Sequence, residues 1–330
     1  MRKISILSAA HIHTKGFIES IVKEKLFEIA AIYDDVPSRG EAYAKQAGGR
    51  FESSREKILQ DSSIEGIIIT SENTSKQPLL LDAIRAGKAI LCEKPVALSA
   101  GQASEIREAL KAHPRTRLVS GYYMPYGAQG RTLKHFLASG KLGKPLSIQY
   151  RNCHMGAFGR WFDNPDLAWF TRKDQAAGGG FLDLGTHAIH YLAWLFGPGE
   201  KVSAMIENQA GLYPDVDDTG RALIKFKNGV LAGVEAGWIS HSGTNAFLLT
   251  GERGYVQQSG DNLEFTPAGG KAEILPAKEG APSGVKRLAS LLEGKIPEAE
   301  WRGDVESFLD AAVIMEACYK SQEEGRCIKI

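Results

Sequence analysis

The sequence predicts an α/β fold with an N-terminal Rossmann-like, doubly wound parallel sheet and a C-terminal α+β domain with a mostly antiparallel sheet. Short apolar runs alternate with helical patterns over residues 4–121, and such alternation is typical of parallel strands joined by right-handed crossovers. After Tyr122, segments that alternate polar and apolar residues replace this pattern. A length of 330 residues suits about two domains, which we divide into 1–123 for dinucleotide binding and 124–330 for substrate binding and oligomerisation.

The first domain is predicted to contain five strands and at least four helices. The strands are expected at residues 4–7, 27–33, 67–70, 89–92 and 118–121, and the helices at 13–25, 37–47, 77–86 and 99–111. Apolar residues recur at helical spacing in the first helix, and glycines follow the second and third helices. Ser53 and Glu56 have the spacing of a capping box, which predicts a further short helix.

The second domain is predicted to contain short strands that form a mostly antiparallel sheet. An alternating strand is expected at 145–151, and a hairpin at 222–226 and 230–236 turns at Asn228-Gly229, a pair that favours tight turns. Further short strands are expected at 247–250, 254–257 and 263–265. A helical pattern at 304–322 closes the chain.

Composition and charge exclude several classes of protein. The chain has 40 basic and 39 acidic residues, a net charge of +1, and no long block of like charges, so we expect no nucleic-acid partner. No apolar run approaches the ~18 residues that span a bilayer, and the apolar run after Lys3 is interpreted as a strand rather than a signal peptide. Four cysteines without a C-x-x-C pair fit a reducing compartment, so we expect a cytoplasmic protein.

The turn after the first strand lacks the glycine-rich fingerprint of dinucleotide-binding folds. The segment from Ser8 to His13 has Ser8, Ala10 and His13 where the three glycines of G-x-G-x-x-G usually stand. The small residues at the first two positions permit close approach to a pyrophosphate, whereas His13 is expected to crowd the contact between helix and strand. His11 and Ile12 complete this candidate cofactor loop.

Asp34, at the end of the second strand, is a candidate for holding the ribose of adenosine. An acid at this point can accept hydrogen bonds from both ribose hydroxyls, and its charge repels a 2′-phosphate. This favours NAD, although the nearby Arg39 could pair with a phosphate and so leaves NADP open. Asp34 could instead be a helix N-cap or a solvated acid.

Two further strand ends carry candidate cofactor and catalytic residues. Ser71 and Asn73 follow the third strand, where Asn73 could donate to a cofactor or simply occupy a turn. Glu93, Lys94 and Pro95 follow the fourth strand. Pro95 favours an extended backbone at Lys94, which would direct the lysine toward the nicotinamide, where it could polarise a substrate oxygen or shuttle its proton. Alternatively, Lys94 faces solvent.

The run from Gly178 to His187 is the most informative motif. Three glycines precede a helix that extends to about Phe196, and Asp183 and His187 lie four residues apart on one face of it. We expect His187 in the first turn, where the helix dipole lowers a histidine pKa and favours a proton-accepting imidazole. The alternative is an N-cap aspartate with a packed histidine.

These motifs together resemble the Gfo/Idh/MocA family of glucose–fructose oxidoreductases and inositol dehydrogenases over nearly the whole chain. The resemblance is carried by Ala86-Gly87-Lys88 before Glu93-Lys94-Pro95, by Gly121-Tyr122-Tyr123, by the Leu142-Gly143 turn, by Gly178–His187, by Phe226-Lys227-Asn228-Gly229 and by Ala317-Cys318-Tyr319-Lys320-Ser321.

The resemblance implies an NAD(P)-dependent oxidoreductase that transfers a hydride between nicotinamide and a sugar or polyol carbinol. By this resemblance Lys94 binds the reacting oxygen, His187 is the acid/base, Asp183 binds substrate and orients His187, and Asp34 holds the ribose. The cofactor-binding set implied is Ser8, Ala10, His11, Ile12, His13, Asp34, Arg39, Ser71, Asn73, Lys76, Glu93 and Lys94. The chain departs from the family at its loop, at Lys76, where a histidine is common, and at His190, where an aspartate is common.

The expected substrate pocket adds aromatic and histidine side chains to the catalytic ones. Besides Lys94, Asp183 and His187, the substrate-binding set is Tyr122, His154, Trp161 and Trp169. Aromatic faces can stack on sugar C–H surfaces, although ordinary burial also explains large rings. We expect no metal, because His11 and His13 would point in opposite directions on an extended chain and nothing completes a site around His187 and His190.

Two other functions and an oligomer are also considered. Some relatives use bound NAD for a transient oxidation that lets a glycosidic bond break by elimination, and the altered loop could instead indicate a nucleotide- or sugar-sensing regulator. The exposed face of the antiparallel sheet and the resemblance lead us to expect a homodimer or homotetramer. The expected partner is a small-molecule sugar or polyol, with no nucleic acid and no membrane.

Overall fold

The computed structural model describes residues 1–242 and 246–330 and contains two sheets. The first sheet consists of β1 (Lys3–Leu7), β2 (Glu28–Tyr33), β3 (Arg50–Phe51), β4 (Ile64–Ile69), β5 (Ala89–Cys92) and β6 (Leu118–Ser120). Its order is β3-β2-β1-β4-β5-β6, and every pair of neighbouring strands is parallel. This confirms the Rossmann-like prediction, and the order reverses between β1 and β4, where a crevice opens at the carboxyl ends of the strands.

The helices between these strands follow the predicted alternation closely. They are α1 (His13–Glu24), α2 (Pro37–Ala47), α3 (Arg55–Gln60), α4 (Lys76–Arg85) and α5 (Ala100–Ala112). One local prediction is wrong by a residue: the N-cap of α3 is Ser54 rather than Ser53, because the Ser54 hydroxyl accepts the Lys57 N–H. The short strand β3 was not predicted.

The second sheet has nine strands and is mostly antiparallel, as predicted. Its strands are β7 (Pro145–Cys153), β8 (Gly199–Glu207), β9 (Thr219–Phe226), β10 (Leu231–Gly237), β11 (Ala246–Gly251), β12 (Gly254–Ser259), β13 (Asn262–Pro267), β14 (Glu273–Ile274) and β15 (Ile328–Lys329). Their order is β14-β13-β12-β11-β7-β10-β9-β8-β15, with β7 and β10 parallel. The β9–β10 hairpin is confirmed, and Gly229 in its turn has φ +96°.

The remaining helices pack on one face of the second sheet, on the first sheet, or on both. They are α6 (Ala128–Ala138), α7 (Lys173–Ala176), α8 (Gly180–Phe196), α9 (Gly284–Leu292) and α10 (Glu298–Glu324), with short 3-10 helices at Met124–Tyr126, Trp161–Asp163 and Pro165–Thr171. Leu288 of α9 and Phe308 of α10 are buried in the core of the first sheet, whereas Ile314 and Cys318 of α10 are buried in the core of the second. The division of the chain at residue 123 therefore stays a prediction.

No helix among the described residues is long and apolar enough to cross a membrane. Cys92, Cys153 and Cys318 are buried and Cys327 is exposed, and all four thiols are free.

Candidate active site

Lys94, Asp183 and Trp238 meet where the first sheet faces α8. The Lys94 ammonium, just beyond the end of β5, donates to the Asp183 carboxylate in the first turn of α8. Trp238 Nε1 donates to the other carboxylate oxygen at 2.9 Å. The Lys94 and Asp183 side chains are only 5% and 15% exposed. Although burial raises the Asp183 pKa, Lys94 and Trp238 together hold it well below its ordinary range, so this group is a carboxylate at neutral pH.

The triple glycine before α8 is explained by a chain segment that crosses it. A Cβ on Gly179 would lie 1.9 Å from the Asp217 carbonyl oxygen, and one on Gly180 would lie 2.5 Å from that of Asp218. The Asp217 carboxylate accepts the N–H groups of Gly179 and Phe181 at 2.8 and 2.7 Å. The absence of side chains thus lets Asp217 bind the first turn of the helix that carries the active-site residues.

His187 lies about two turns into α8, seven residues after Gly180. The expectation of a first-turn histidine is wrong, and the dipole effect falls off within the first turn. The His187 pKa is nevertheless lowered well below its usual range, first by burial and then by the Lys94 charge. A neutral imidazole at this position can accept a proton.

The immediate neighbours of His187 are aromatic. Its ring centroid is 5.6 Å from that of Tyr122 and 5.1 Å from that of Tyr123. Its Nδ1 is buried with no hydrogen-bond partner among the described residues, and the Asp183 carboxylate accepts hydrogen bonds from Lys94 and Trp238. The orientation of His187 by Asp183 therefore stays a prediction.

Tyr122 and His190 form a layer beneath the site. The Tyr122 hydroxyl lies 2.6 Å from Thr186 Oγ1, and its ring stacks on His190 with centroids 4.0 Å apart. His190 Nε2 lies 3.1 Å from Ser307 Oγ, and burial lowers the His190 pKa to about 3. Because Tyr122 is only 1% exposed, its role in substrate binding stays a prediction.

The loop between β1 and α1 is compact and brings its two histidines together. Ser8 has φ +63°, the left-handed backbone that glycine usually adopts at this point of a dinucleotide loop. The His11 and His13 ring centroids are 4.6 Å apart, so the expectation that they point in opposite directions is wrong, because the chain bends here instead of extending. His13 Nδ1 lies 2.9 Å from Glu93 Oε1, and its side chain is 43% exposed, so it turns toward Glu93 rather than into the helix–strand contact.

Asn73 and Lys76 use their polar atoms within the protein. Asn73 Nδ2 donates to the Ala176 carbonyl at 2.9 Å and Oδ1 accepts from Lys76 Nζ at 3.2 Å. Lys76 Nζ also donates to the carbonyls of Lys94 and Pro95, each at 3.1 Å. Burial lowers the Lys76 pKa to about 8. These contacts position the Lys94 segment, so direct cofactor contacts by Asn73 and Lys76 stay predictions.

Asp34 and Arg39 form an ion pair at the end of β2. Asp34 accepts the N–H groups of Ala9 and Val36 at 2.7 and 2.8 Å, and Arg39 donates to both of its oxygens. Arg39 also contacts Glu72 at 3.2 Å. The Asp34 side chain is fully covered, while Arg39 is 18% exposed. The carboxylate therefore lies behind the guanidinium, and the binding of a cofactor ribose by Asp34 and Arg39 stays a prediction.

Several features fit a dinucleotide between the loop and α8. The hydroxyls of Ser8 and Thr14 are buried without a hydrogen-bond partner among the described residues. The N-cap of α1, Ile12, makes no side-chain cap bond, and amide groups at such a helix start attract phosphate. One amide is used internally, because the His13 N–H donates to His11 Nδ1 at 3.2 Å. Ser71 is buried nearby, with its hydroxyl donating to the Glu72 carbonyl.

The aromatic residues predicted for the substrate pocket separate into two groups. His154 and Trp161 lie together, with ring centroids 4.7 Å apart, and Trp161 is 45% exposed. The charges of Asp183 and Lys94 act on the His154 pKa, which burial lowers, so His154 lies near the catalytic pair. Trp169 is buried, and its Nε1 donates to the Ala10 carbonyl at 3.0 Å. Trp169 thus supports the loop, and its contact with substrate stays a prediction.

Trp238, Thr186 and Asp217 contribute to the site, and sequence reasoning missed all three. Trp238 follows β10 immediately, and Asp217 precedes β9. For Trp238 and Asp217 the available signal was a position next to a strand, but neither of these two residues stands in a recognisable motif. Only the folding of the second sheet beneath α8 brings them to Asp183 and the glycines.

Comparisons with known proteins identify the family and agree with the fold. Residues 7–122 match a family model described as "Oxidoreductase family, NAD-binding Rossmann fold", and residues 131–257 match one described as "GFO/IDH/MocA C-terminal domain". A 1,5-anhydro-D-fructose reductase of Ensifer adhaerens is 25% identical over 69% of this chain and 67% of that protein. An inositol 2-dehydrogenase of Serratia proteamaculans (strain 568) is 28% identical over 54% of this chain and 49% of that protein. The chain thus aligns with about two thirds or less of these relatives.

A solved structure supports the fold over the full length. It is an oxidoreductase from Agrobacterium radiobacter in complex with NAD⁺, L-tartaric acid and magnesium, with a TM-score of 0.78 and 17% identity. The match covers 99% of this chain and 98% of that one.

Proposed function

This chain belongs to the Gfo/Idh/MocA oxidoreductase family, and from that premise we propose that it is an NAD-dependent dehydrogenase or reductase of sugars or polyols. The observation that carries the proposal is the buried Lys94–Asp183 ion pair next to the neutral His187. An ammonium, a carboxylate and an imidazole in one crevice are the groups that removal or addition of a carbinol proton requires.

In the oxidation direction, His187 accepts the hydroxyl proton and Lys94 stabilises the oxygen as negative charge develops on it. Asp183 holds the Lys94 ammonium and accepts a hydrogen bond from a second substrate hydroxyl. A bound nicotinamide would supply the hydride acceptor. In the reduction direction the same groups act in reverse, with protonated His187 donating to the oxygen.

The charge balance around Arg39 supports NAD rather than NADP. Arg39 lies within 3.2 Å of carboxylate oxygens of Asp34, Asp35 and Glu72. Three anions around one cation leave no positive charge in excess for a 2′-phosphate. We therefore propose that ribose hydroxyls, and not a phosphate, bind at the end of β2.

A sugar or polyol fits the polar and aromatic lining. The half-exposed Trp161 offers a ring face beside His154, and aromatic faces pack on sugar C–H surfaces while polar groups bind the hydroxyls. A substrate with several adjacent hydroxyls can reach Lys94, Asp183 and His154 together.

The test is turnover of a panel of aldoses, inositols and anhydro-sugars with NAD and with NADP, followed at the nicotinamide absorbance. His187→Asn should lower kcat by about 10²–10⁴-fold, whereas His135→Asn, an exposed histidine of α6, should leave it unchanged. Near-normal turnover by His187→Asn would reject the role of His187. Cleavage of an aryl glycoside without net NADH would instead favour the NAD-assisted glycosidase, and tight NAD binding without any turnover would favour a regulator.

Assembly and location belong to the same proposal. The second sheet exposes Met205, Leu223 and Leu248, which are 75%, 55% and 43% exposed, around a broad concave face. We propose that this face packs on a second copy of the chain, giving a dimer or tetramer in the cytoplasm. Light scattering on Leu223→Asp should then report a smaller species, and an unchanged mass would reject the sheet as the interface.

A further inference from the structure

Three metal-ligating side chains converge beside the loop that follows β1. One ligand atom each from His11, His13 and Glu93 lies within 4.8 Å of the others. His13 Nδ1 and Glu93 Oε1 lie 2.9 Å apart. Proton transfer by His187 does not require a carboxylate between two imidazoles, so this cluster is not explained by the proposed reaction.

We propose that His11, His13 and Glu93 form a binding site for a divalent metal ion of the zinc type. Two imidazoles and one carboxylate, with a remaining position for water, form the ligand set of open zinc sites. Tetrahedral bonds of about 2.0–2.1 Å place neighbouring ligand atoms about 3.4 Å apart. Two of the ligand atoms lie 2.9 Å apart and all three lie within 4.8 Å of one another, so small side-chain rotations bring them to a common ion.

The surrounding contacts hold the ligands in orientation. Glu93 Oε2 accepts the Lys94 N–H at 2.8 Å, which leaves Oε1 toward the histidines. His11 Nδ1 accepts the His13 N–H, which leaves Nε2 for the metal, and Phe170 packs on the His11 ring with centroids 5.5 Å apart. Such outer contacts are typical of metal sites.

Space and access also favour the site. A Cβ on Gly121 would lie 2.5 Å from Glu93 Oε1, so glycine at this position leaves room for the carboxylate. The Glu93 side chain is fully buried, whereas that of His13 is 43% exposed. An ion can therefore enter past His13 and displace the hydrogen bond between His13 and Glu93.

The position of the site implies competition with the dinucleotide. The loop from Ser8 to His13 is the proposed binding loop for the pyrophosphate, and a metal joining His13 to Glu93 would lie in the same crevice. Zinc should therefore inhibit by excluding the cofactor. Competition between zinc and the dinucleotide rests on the proposed function, whereas metal binding itself does not.

The test is calorimetric titration of chelator-treated protein with ZnCl₂, with CoCl₂ absorption as a report of ligand geometry. We expect one ion per chain and a tetrahedral cobalt spectrum. His13→Asn and Glu93→Gln should each weaken zinc binding by more than about 100-fold, since loss of an outer contact alone costs 10–100-fold. His135→Asn is the matched control, and circular dichroism checks the folding of every variant.

A parallel NAD titration, with and without zinc, tests competition with the dinucleotide separately from zinc binding. A loss of NAD affinity on addition of zinc that is smaller in His13→Asn than in the wild type, each protein being compared with its own zinc-free titration, supports competition. Equal zinc affinity in the variants and the wild type, or the absence of stoichiometric binding, would overturn the metal site. Zinc binding with unchanged NAD affinity would overturn the competition. Absence of NAD binding without zinc would count against the proposed function and leave the metal result to stand by itself.

Discussion

The Lys94–Asp183 ion pair should dominate both stability and turnover, and a double-mutant cycle can separate the two. Removing one partner of a buried pair costs about 3–5 kcal/mol, because the remaining charge is left uncompensated. Lys94→Met leaves Asp183, which is 15% exposed and still bound by Trp238, so we expect the lower end of that range. Asp183→Asn leaves the Lys94 ammonium, whose side chain is 5% exposed, so we expect the upper end.

The double variant Lys94→Met/Asp183→Asn should be more stable than the sum of the single losses predicts. Coupling energies of about 0.5–3 kcal/mol are typical of residues in direct contact. Turnover, in contrast, should be absent in all three variants, because the reaction needs both groups. A double variant that regains stability but not turnover would show that the two residues stabilise the fold as a pair and are needed separately for the reaction.

The assay is urea unfolding at pH 7, followed by circular dichroism. The Asp183 pKa is lower in the folded protein than its unfolded value of about 3.9. The stabilisation is therefore present above that value and is lost as the pH falls through the folded pKa. The exposed pair Lys15 and Glu19 on α1, with side chains 67% and 59% exposed, is the control, with an expected coupling of about 0.3–0.5 kcal/mol. Additive losses at Lys94 and Asp183 would refute the reasoning.

Three other predictions concern the supporting residues. The Lys76 pKa of about 8 lies below its ordinary value, so wild-type stability should rise between pH 8 and 10; Lys76→Met should lack this rise in urea unfolding. Gly179→Ala would place a Cβ 1.9 Å from the Asp217 oxygen and should lower the Tm by more than about 5 °C, whereas an unchanged Tm would contradict the close packing. Asp34→Ala removes one of the three carboxylates on Arg39 and leaves Asp35 and Glu72, so less negative charge opposes a 2′-phosphate; calorimetry should find the ratio of NADP to NAD affinity raised, and an unchanged ratio would argue against this ribose site.

The first sheet was predictable because its signals are local. Buried parallel strands are continuous apolar runs. In the helices between them, apolar residues recur every three to four positions, and glycines follow several helix ends. The bounds of α2 and β5 agree with the prediction to the residue. By contrast, β8, α6 and α9 were missed, although the buried residues Val285, Leu288 and Leu292 of α9 recur at helical spacing.

The candidate site was predictable to the extent that its residues stand in motifs. Lys94 and Asp183 were selected from the ends of a strand and a glycine run, and the fold places them in contact across 89 positions of the chain. The turn of α8 that carries His187 was predicted wrongly, because the helix already begins at Gly180, within the glycine run, and this places His187 about two turns from its start.

The amino-acid order alone determined the alternation of strands and helices, the balanced charge, and the residue types able to move a proton or bind a nucleotide, because each depends on neighbours within a few positions. Only the tertiary structure decided that Trp238 binds Asp183 and that Glu93 meets two histidines of a distant loop. Such contacts depend on how whole elements pack, and no local preference of the chain encodes the direction in which a side chain meets a partner about 80 residues away.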